Sequence, residues 1–351
     1  MNKQIRFFNP GLSYLKHKAE FDSEIQRVLT VGDLILRGDV EKFEENLAEY
    51  IGVKYAVGLN SGTDALYLSL RYLKIGKGDK VLVPSRTFVA TAQVVKQVGA
   101  EPIFYDLDSL LKTPFFVNEV KAIIPVHIEG AIDTHMDEVL RVANELHIPI
   151  IEDAAQALGA EVMMAGIVPT KKAGSIGLAG CFSFYPAKLL GAFGDAGAIT
   201  TDDEKMYNWV KEARNHFKNT NTDWGINSRM DNLQATILNV RFKYLDEILK
   251  GREGIALHYL ENLETLPIEL PLNTKGRVWQ DFIIRTEKRD ALYEFLKKEG
   301  IETLKNNYPF PIPKLPLAQK YEDETLRLPC NENLLREEMD YVIRKIIEYY
   351  K

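Results

Sequence analysis

The stretch GCFSFYPAKLLGAFGDAG, residues 180–197, decides how the rest of the sequence is interpreted. It is an apolar run that ends at Pro186, followed by a single lysine, Lys188, and three spaced glycines before the strand-like residues 198–201. A lysine enclosed by apolar neighbours is partly desolvated, which lowers its pKa and leaves a neutral amine able to attack carbonyl groups. A lone lysine in a turn is more often a surface residue, so a functional interpretation needs support from elsewhere in the chain.

Length and composition restrict the kinds of protein this chain can be. The 351 residues exceed the usual size of a single core, which predicts one large domain and a smaller one. A hydrophobic content of 46% and a net charge of −6 argue against a nucleic-acid partner or a basic membrane-binding surface. The only cysteines, Cys181 and Cys330, are far apart, and the N-terminus lacks the apolar core of a signal peptide. We therefore expect a cytoplasmic protein with no membrane span.

The order of elements predicts an α/β fold. Strand-like and helix-like runs alternate between residues 55 and 152, as in a mainly parallel sheet flanked by helices. We predict a large domain over residues 1–240, including an N-terminal helical segment, and a smaller α+β domain over residues 241–351. Outside the alternating region, the spacing of apolar residues predicts helices over 20–50, 203–217, 231–260, 289–299 and 337–350, and a strand over 278–284.

Two groups of residues along the sheet could bind a ligand. Ser61, Gly62 and Thr63 precede a predicted helix, whose N-terminal N–H groups and dipole favour an anion such as phosphate. Asp153 follows the buried strand 148–152, at the strand end where ligands of open α/β sheets bind. The alternative is helix N-capping in both places.

Phe88 follows another predicted strand and could stack on a flat heterocycle, although an aromatic residue there is more often part of the core. Other cofactor signatures are missing from the sequence. The glycines of the opening stretch are spaced GxxGxxG instead of GxGxxG, and neither a phosphate loop of the GxxxxGK[ST] type nor a clustered Cys/His metal motif occurs. We expect no metal site.

Six motifs in this order resemble the DegT/DnrJ/EryC1/StrS family of sugar aminotransferases, which use pyridoxal 5'-phosphate (PLP) and have the aspartate-aminotransferase-like fold type I. The resemblance covers nearly the whole chain. The motifs are SGTDAL (61–66), PSRTFVATA (84–92), IIPVH (123–127), EDAAQALG (152–159), the opening stretch 180–197, and GINSRMDNLQA (225–235).

The resemblance implies roles for individual residues. Lys188 resembles the lysine that binds PLP covalently and then moves protons, and Asp153 matches the partner of the pyridinium nitrogen. Gln156 would lie beside the ring and its phenolic oxygen, and Phe88 would stack on the ring face. The remaining matches form a phosphate-binding site: Gly62, Thr63, Ser183, and Asn227 from the neighbouring subunit.

The resemblance also implies partners and a reaction. An asparagine supplied by the second subunit implies a homodimer with the site at the interface. The reaction would move an amino group from L-glutamate, with pyridoxamine phosphate as the intermediate cofactor form, onto the C3 or C4 keto group of a dTDP-, UDP- or GDP-linked 6-deoxy sugar. The Gly194-Asp195 pair and the motif GINSRM (225–230) resemble the C3 enzymes somewhat more. Two alternatives stay open: a PLP-dependent sugar dehydratase, in which histidine typically replaces the lysine, and a non-catalytic PLP-binding regulatory protein.

Some positions depart from the family pattern. Arg86 stands where a small or aromatic residue is frequent, and His216 is followed by Phe217 where glycine is usual. Arg229 matches a position near the active site, with a structural ion pair as the alternative. The loop 308–316 could line the sugar pocket or simply pack between domains. These changes leave the cofactor prediction intact and bear on the substrate. With the lysine assigned in this way, the glycines that follow it, Gly191, Gly194 and Gly197, indicate room for a cofactor and a sugar instead of a nucleotide-binding loop.

Overall fold

The computed structural model describes residues 4–108, 110, 119–162, 170–305, 313 and 315–351. The strands within these ranges are β1 (Tyr55–Leu59), β2 (Lys80–Pro84), β3 (Glu101–Tyr105), β4 (Val120–Ile123), β5 (Ile151–Asp153), β6 (Glu161–Val162), β7 (Lys171–Lys172), β8 (Ala179–Ser183), β9 (Gly197–Thr201), β10 (Phe282–Arg285), β11 (Leu304–Lys305) and β12 (Thr325–Leu328). The helices are α1 (Pro10–Lys16), α2 (Lys18–Val31), α3 (Gly38–Ile51), α4 (Gly62–Tyr72), α5 (Val89–Gln97), α6 (Met136–Leu146), α7 (Glu204–Ala213), α8 (Asn232–Phe242), α9 (Leu245–Leu263), α10 (Arg289–Lys298), α11 (Pro316–Glu324) and α12 (Arg336–Tyr350).

The central sheet has the strand order β1-β9-β8-β5-β4-β2-β3. Two hydrogen-bonded groups of strands, β1-β9-β8-β5 and β4-β2-β3, are joined by parallel bridges from Ile123 to Ile150 and from Val126 to Asp153. Strand β9 pairs antiparallel with both its neighbours, and the other pairs are parallel. The prediction of a mainly parallel sheet is confirmed.

Apolar residues on both faces of the strands explain why helices cover the sheet. Val57, Val81, Ile151 and Ile199 are fully buried against residues of α4, α5 and α7. On the other face, residues of α3 and α8 pack against Phe182 and the segment after it. Strands buried on both sides read as continuous apolar runs, which is the pattern that the sequence shows.

A second hydrophobic core lies in the C-terminal part of the chain. It contains Trp279, Phe282, Leu328 and Ile346, together with Ile5 from the N-terminus. Ile5 bridges in parallel to Ile301, so the first described residues belong with the second core. The domain division at residue 240 stays a prediction.

Four predicted elements differ from the structure. The helix over 203–217 ends at Ala213. The helix over 20–50 is interrupted where Gly32, at φ 81°, ends α2 in the left-handed conformation that glycine adopts easily. The helix over 231–260 is two helices, α8 and α9, separated at residues 243–244. The strand over 278–284 begins only at Phe282. Within the described ranges, no helix combines the length and apolar character needed to cross a membrane.

Candidate active site

The site candidates meet at one edge of the central sheet. Because β1, β8, β5 and β2 run in the same direction, their carboxyl ends lie on the same side, and ligands of such sheets bind there. Ser61 follows β1, Ser183 ends β8, Asp153 ends β5 and Phe88 lies four residues beyond β2. Residues that are up to 122 positions apart in the sequence, Ser61 and Ser183, are thus brought to one edge.

Lys188 lies in the turn that follows β8. Its backbone N–H donates to the Tyr185 carbonyl at 2.8 Å, and its neighbour Leu189 is buried in the core with Phe184 and Leu190. Withdrawal from solvent lowers the pKa of the Lys188 amine. The negative charges of Asp281 and Asp153 raise it, and the positive charge of Arg327 lowers it, by smaller amounts. Among the described residues, no carboxylate lies within 4.0 Å of this amine. The site therefore holds a half-buried amine with no direct ion-pair partner, which suits attack on a carbonyl.

Asp153 is 6% exposed at the end of β5. Its Oδ2 accepts a hydrogen bond from the Thr91 hydroxyl at 2.7 Å, and its Oδ1 accepts one from the Ala155 N–H at 3.2 Å. Burial raises the pKa of this carboxyl, and the two hydrogen bonds together with Lys188 and His127 oppose that shift. The bond to Ala155 closes a turn, since no helix follows in residues 154–157.

The N-terminus of α4 is built as an anion-binding end. Ser61 caps the helix by accepting from the Asp64 N–H at 3.1 Å, which leaves the N–H groups of Gly62 and Thr63 ahead of the first helical hydrogen bond. A Cβ on Gly62 would lie 2.9 Å from the Ser183 Cβ, so only glycine lets the end of β8 approach the helix this closely. Both interpretations of this motif, the cap and the anion site, are compatible with this geometry because different groups serve them.

The glycines after Lys188 have a different reason from the one the sequence suggests. The GxxGxxG spacing looks like room for a cofactor and a sugar. A Cβ on Gly191 would instead lie 2.2 Å from the Pro186 carbonyl oxygen, and one on Gly197 would lie 2.2 Å from the Ser61 carbonyl carbon. At these two positions the space is filled by the protein backbone, so that interpretation is wrong for Gly191 and Gly197.

Two residues predicted beside the cofactor ring lie near this edge. Phe88, the residue before α5, is 49% exposed, so its ring is accessible to a ligand. Gln156 is partly buried, and its Oε1 accepts from the Glu129 N–H at 2.9 Å. The amide of Gln156 is therefore oriented by the loop that follows β4.

Asn227 and Arg229 lie on a segment that crosses the end of α7. Asn227 is exposed and bridges to Asn215, and Arg229 donates to the Asn215 side-chain oxygen at 3.2 Å. In the described residues Arg229 has no carboxylate partner within 4.0 Å, so the alternative of a structural ion pair is not what the structure shows. Whether Asn227 reaches a neighbouring subunit's site stays a prediction.

Arg86 connects the sheet edge to the second core. Its guanidinium forms an ion pair with Glu129 and lies 3.6 Å from the ring centroid of Tyr321 in α11, and the Tyr321 hydroxyl donates to Glu129 at 3.3 Å. Burial lowers the pKa of Arg86. A cavity of about 330 Å³ opens beside this cluster and is lined from the second core by Arg277 and Arg285. Arg86 thus forms one wall of the space between the sheet edge and the second core.

The departure at residues 216–217 has a conformational consequence. His216 has φ 63° and Phe217 has φ 54°, the left-handed region that favours glycine. Phe217 is 3% exposed and packs edge-on against Trp209. Burial of the ring offsets the backbone strain that the usual glycine would avoid.

A buried pair next to Asp153 is not predicted from the sequence. Glu152, which has no role in the sequence prediction, is fully buried, and its Oε2 lies 2.8 Å from the Nε2 of His127. The carboxylate also accepts the N–H groups of residues 174, 176 and 177 at 2.7–2.8 Å. His127 Nδ1 accepts from the Asp133 N–H, so its proton lies on Nε2 and is donated to Glu152. No periodicity or motif in the sequence signals such a network.

Other features lie apart from these residues. A larger cavity, about 520 Å³, is lined by residues of α1, α2, α8, α9 and the loop before α12, and none of the predicted site residues contributes to it. The described ranges contain no group of His, Cys, Asp or Glu side chains arranged to hold a metal ion. In the loop 308–316, residues 308–312 and 314 lie outside the described residues, so its predicted role is not tested.

Comparisons with known proteins show what the whole chain is similar to. The chain is 36% identical, over 99% of its length and 96% of the relative's, to a dTDP-3-amino-3,4,6-trideoxy-alpha-D-glucose transaminase from Streptomyces venezuelae. Its structure matches that of S. venezuelae DesV in complex with a ketimine intermediate, with a TM-score of 0.90, 36% identity and 99% coverage of both chains. It also matches NtdA from Bacillus subtilis with its bound cofactor PMP, with a TM-score of 0.85, 28% identity, and coverage of 98% of this chain and 85% of that one.

The fold and the relatives define the class: this protein is a PLP-dependent aminotransferase of fold type I. A family model described as the DegT/DnrJ/EryC1/StrS aminotransferase family matches residues 16–347, and the chain belongs to that family. The predictions of family, fold, enzyme class and cofactor are confirmed.

Proposed function

We propose that Lys188 is the residue that binds PLP covalently and carries the proton transfers of transamination. The observation that carries this proposal is a half-buried amine, free of any direct ion pair among the described residues, at the same sheet edge as a buried carboxylate and an anion-binding helix end. Each of these three groups matches a different part of PLP: its aldehyde, its ring nitrogen and its phosphate. The residues therefore fit the cofactor.

The remaining residues would hold and orient the cofactor. The Asp153 carboxylate would pair with the ring nitrogen and keep it protonated, since the Thr91 and Ala155 hydrogen bonds favour its charged form. The N–H groups of Gly62 and Thr63 would bind the phosphate together with the Ser183 hydroxyl. Phe88 would cover one face of the ring and Gln156 would lie beside its phenolic oxygen. When bound, PLP supplies an electron sink conjugated to the carbon that reacts.

Lys188 would then act as both acid and base. Its Nζ would take the proton from the α-carbon of the amino donor and hold it, and the same atom would return a proton when the keto acceptor reacts. Burial favours the neutral amine that this requires at neutral pH, because it lowers the pKa of the group. The nearby charges of Asp281 and Asp153 limit how far that shift goes.

We propose L-glutamate as the amino donor and a nucleotide-linked 6-deoxy-keto-sugar as the acceptor, with C3 as the more favoured position. The relative from S. venezuelae is named for a 3-amino dTDP-sugar, which supports both the substrate class and C3. The cavity of about 330 Å³ beside Arg86 offers space between the sheet edge and the second core, with arginine side chains that could face anionic groups.

A direct assay tests this function. The purified protein is incubated with PLP, L-glutamate and dTDP-, UDP- or GDP-linked keto sugars, and 2-oxoglutarate release is measured with product mass and NMR. We expect amination of one sugar class, loss of the bound-PLP absorbance band in Lys188→Met, and no change in Lys211→Met, whose amine contacts Tyr207 on the exposed face of α7. Elimination of water without glutamate would indicate a dehydratase, and PLP binding without turnover would indicate the regulatory alternative.

We propose that the protein is a homodimer whose partner contributes Asn227 to the site. Four apolar residues within one short segment around the end of α2 are 38–65% exposed: Leu29, Val31, Leu34 and Ile35. Contiguous exposed apolar side chains are typical of protein interfaces. Trp224, close to Asn227, is 87% exposed. Light scattering of Val31→Glu should show more monomer than the unsubstituted protein, and a monomeric unsubstituted protein would contradict the proposal.

A further inference from the structure

Gln280, from the segment just before β10, contacts the chain on both sides of Lys188. Its Nε2 donates a hydrogen bond to the Ala187 carbonyl at 3.0 Å, and its Oε1 accepts one from the Leu189 N–H at 3.1 Å. Gln280 is 7% exposed, and its bond to the Leu189 N–H is buried. A single side-chain amide thus satisfies the two peptide groups that flank the lysine.

Gln280 is itself held by a buried charged cluster. Arg252 of α9 donates to the Gln280 carbonyl at 3.0 Å and forms an ion pair with Glu332 at 3.0 Å. Glu332 also pairs with Arg241 of α8 at 3.3 Å, and Arg241 donates to the Leu189 carbonyl at 3.4 Å. The Leu189 carbonyl therefore contacts this cluster directly through Arg241, and the Leu189 N–H contacts it through Gln280.

The segment brings charge to the lysine as well. Asp281 follows Gln280, is 5% exposed, and forms an ion pair with Arg327 of β12 at 2.9 Å. The groups whose charges act on Lys188 are Asp281 and Arg327 from the second core and Asp153 from the central sheet. A shift of residues 280–281 would therefore move the backbone that carries the Lys188 side chain. It would also change the distance from the amine to the charge of Asp281.

We propose that Gln280 is a positioning residue for Lys188, fixing the peptide from which the amine projects toward the bound cofactor. This inference rests on the proposed role of Lys188. An amide side chain suits this position, because the backbone offers one acceptor, the Ala187 carbonyl, and one donor, the Leu189 N–H. The glutamine amide has one N–H group for the first and one oxygen for the second. A turn outside helix and sheet has few backbone hydrogen bonds of its own, so these two restrain it strongly.

The test compares Gln280→Met and Gln280→Glu with Tyr259→Phe. Methionine keeps the size and removes both hydrogen bonds, whereas glutamate keeps the acceptor for the Leu189 N–H and loses the donor. Tyr259→Phe is the matched control, because it removes one buried hydrogen bond, to the Pro329 carbonyl at 3.0 Å, in the second core and away from residues 187–189. Two quantities are measured: amide hydrogen exchange of the peptide containing residues 185–193 in the cofactor-free protein, and the Kd for PLP from its absorbance.

In Gln280→Met we expect the Leu189 amide to exchange at least about tenfold faster and PLP to bind roughly tenfold more weakly. In Gln280→Glu the Leu189 amide should keep most of its protection, and in Tyr259→Phe both quantities should match the unsubstituted protein. Unchanged exchange and PLP affinity in Gln280→Met, or equal changes in Tyr259→Phe, would overturn the inference. If the Met variant does not fold, Gln280→Glu must still weaken PLP binding relative to Tyr259→Phe for the inference to stand.

The same data separate this inference from the proposed function. If PLP binds equally well to Lys188→Met and the unsubstituted protein, the role of Lys188 is wrong whatever Gln280 does. If Lys188→Met loses the bound-PLP absorbance band and Gln280→Met behaves like the unsubstituted protein, only the positioning role fails.

Discussion

The hydroxyl of Thr91 donates a hydrogen bond of 2.7 Å to the carboxylate of Asp153, and both side chains are buried. Because Thr91 donates to Asp153, it accepts from Thr87, whose hydroxyl lies 2.6 Å away. The Asp153 carboxylate is thus linked to two successive hydroxyls, of Thr91 and Thr87, which belong to the same motif as Phe88. Hydrogen bonds to the charged form oppose the effect of burial, which raises the pKa of Asp153.

Thr91→Val should weaken the enzyme without unfolding it. Valine has the shape of threonine but no hydroxyl, so the Asp153 charge loses its 2.7 Å partner and its pKa rises further. A hydrogen bond to a buried charge contributes enough that we expect roughly a tenfold or larger fall in kcat/KM. The measurement is steady-state transamination with pH varied, alongside thermal unfolding.

Thr91→Ser is the matched control, since it keeps the hydroxyl and loses only a methyl group. It should retain most of the activity. Equal losses in the two variants would mean that packing, and not the bond to Asp153, matters at this position.

Glu152→Gln should lower the free energy of unfolding more than the removal of a surface charge does. The carboxylate accepts three backbone N–H groups and the His127 Nε2–H, whereas the glutamine amide would turn an N–H group toward two of these donors. The substitution removes the charge of the acceptor and leaves buried donors without a partner. We expect the free energy of unfolding to fall by about 2–4 kcal/mol. Urea unfolding followed by circular dichroism measures it.

Glu119→Gln provides the comparison, because Glu119 pairs with Lys80 at the surface with a side chain that is 49% exposed. Such pairs contribute at most about 1 kcal/mol. If both variants lose the same stability, Glu152 does not organise the loop of residues 174–177.

Much of the fold follows from local signals in the sequence. Strands buried on both faces give continuous apolar runs, and helices between them give the 3.6-residue period, so the alternation of β and α was readable without a structure. The boundary errors have local causes as well. The break between α8 and α9 lies at residues 243–244, where no glycine or proline marks it, and an apolar pattern that continues across a break gives no signal.

The sequence predicts site residues only where they belong to motifs. Lys188, Asp153 and Gly62 stand in stretches whose order along the chain is informative, and the topology brings those stretches to one sheet edge. Gln280 and Glu152 act through backbone groups of distant segments, and such contacts leave no pattern in the sequence. Gly197 looked like space for a ligand because sequence cannot distinguish a glycine that faces a ligand from one that faces another backbone.

Gly197→Ala should disturb the phosphate end of the site. The new methyl group would lie 2.2 Å from the Ser61 carbonyl carbon and 2.4 Å from the Gly62 nitrogen, and backbone atoms cannot move aside as a flexible side chain can. We expect a loss of roughly 1–3 kcal/mol in the free energy of unfolding and weaker PLP binding, since the N-terminus of α4 is displaced. Gly254→Ala is the control: this glycine lies within α9 with nothing within 4 Å of the added Cβ, so alanine should stabilise by about 0.5–1 kcal/mol. A neutral Gly197→Ala would remove the argument that backbone contact selects glycine there.

Lys188→Met should make the cofactor-free protein more stable at neutral pH, and the gain should shrink as the pH rises. Burial lowers the pKa of Lys188 in the folded chain below the ordinary value of 10.5, so between those two values the unfolded chain binds more protons than the folded one. Stability of the unsubstituted protein therefore rises with pH across that window, and the penalty for burying the charge is present in full only below the folded pKa. Asp281 and Asp153 reduce the penalty by attracting the cation, but desolvation is the larger cause and the net shift is downward.

The measurement is urea unfolding of the cofactor-free proteins at several pH values between 7 and 10.5. Methionine has a similar length and no charge, so the difference in the free energy of unfolding between Lys188→Met and the unsubstituted protein should be positive at pH 7 and decline toward pH 10.5. Lys211→Met, on the exposed face of α7, should show no such decline. A difference for Lys188→Met that is constant over this range would mean that the amine keeps its ordinary pKa in the folded chain, and that the neutral amine needed for attack on a carbonyl is not prepared by burial.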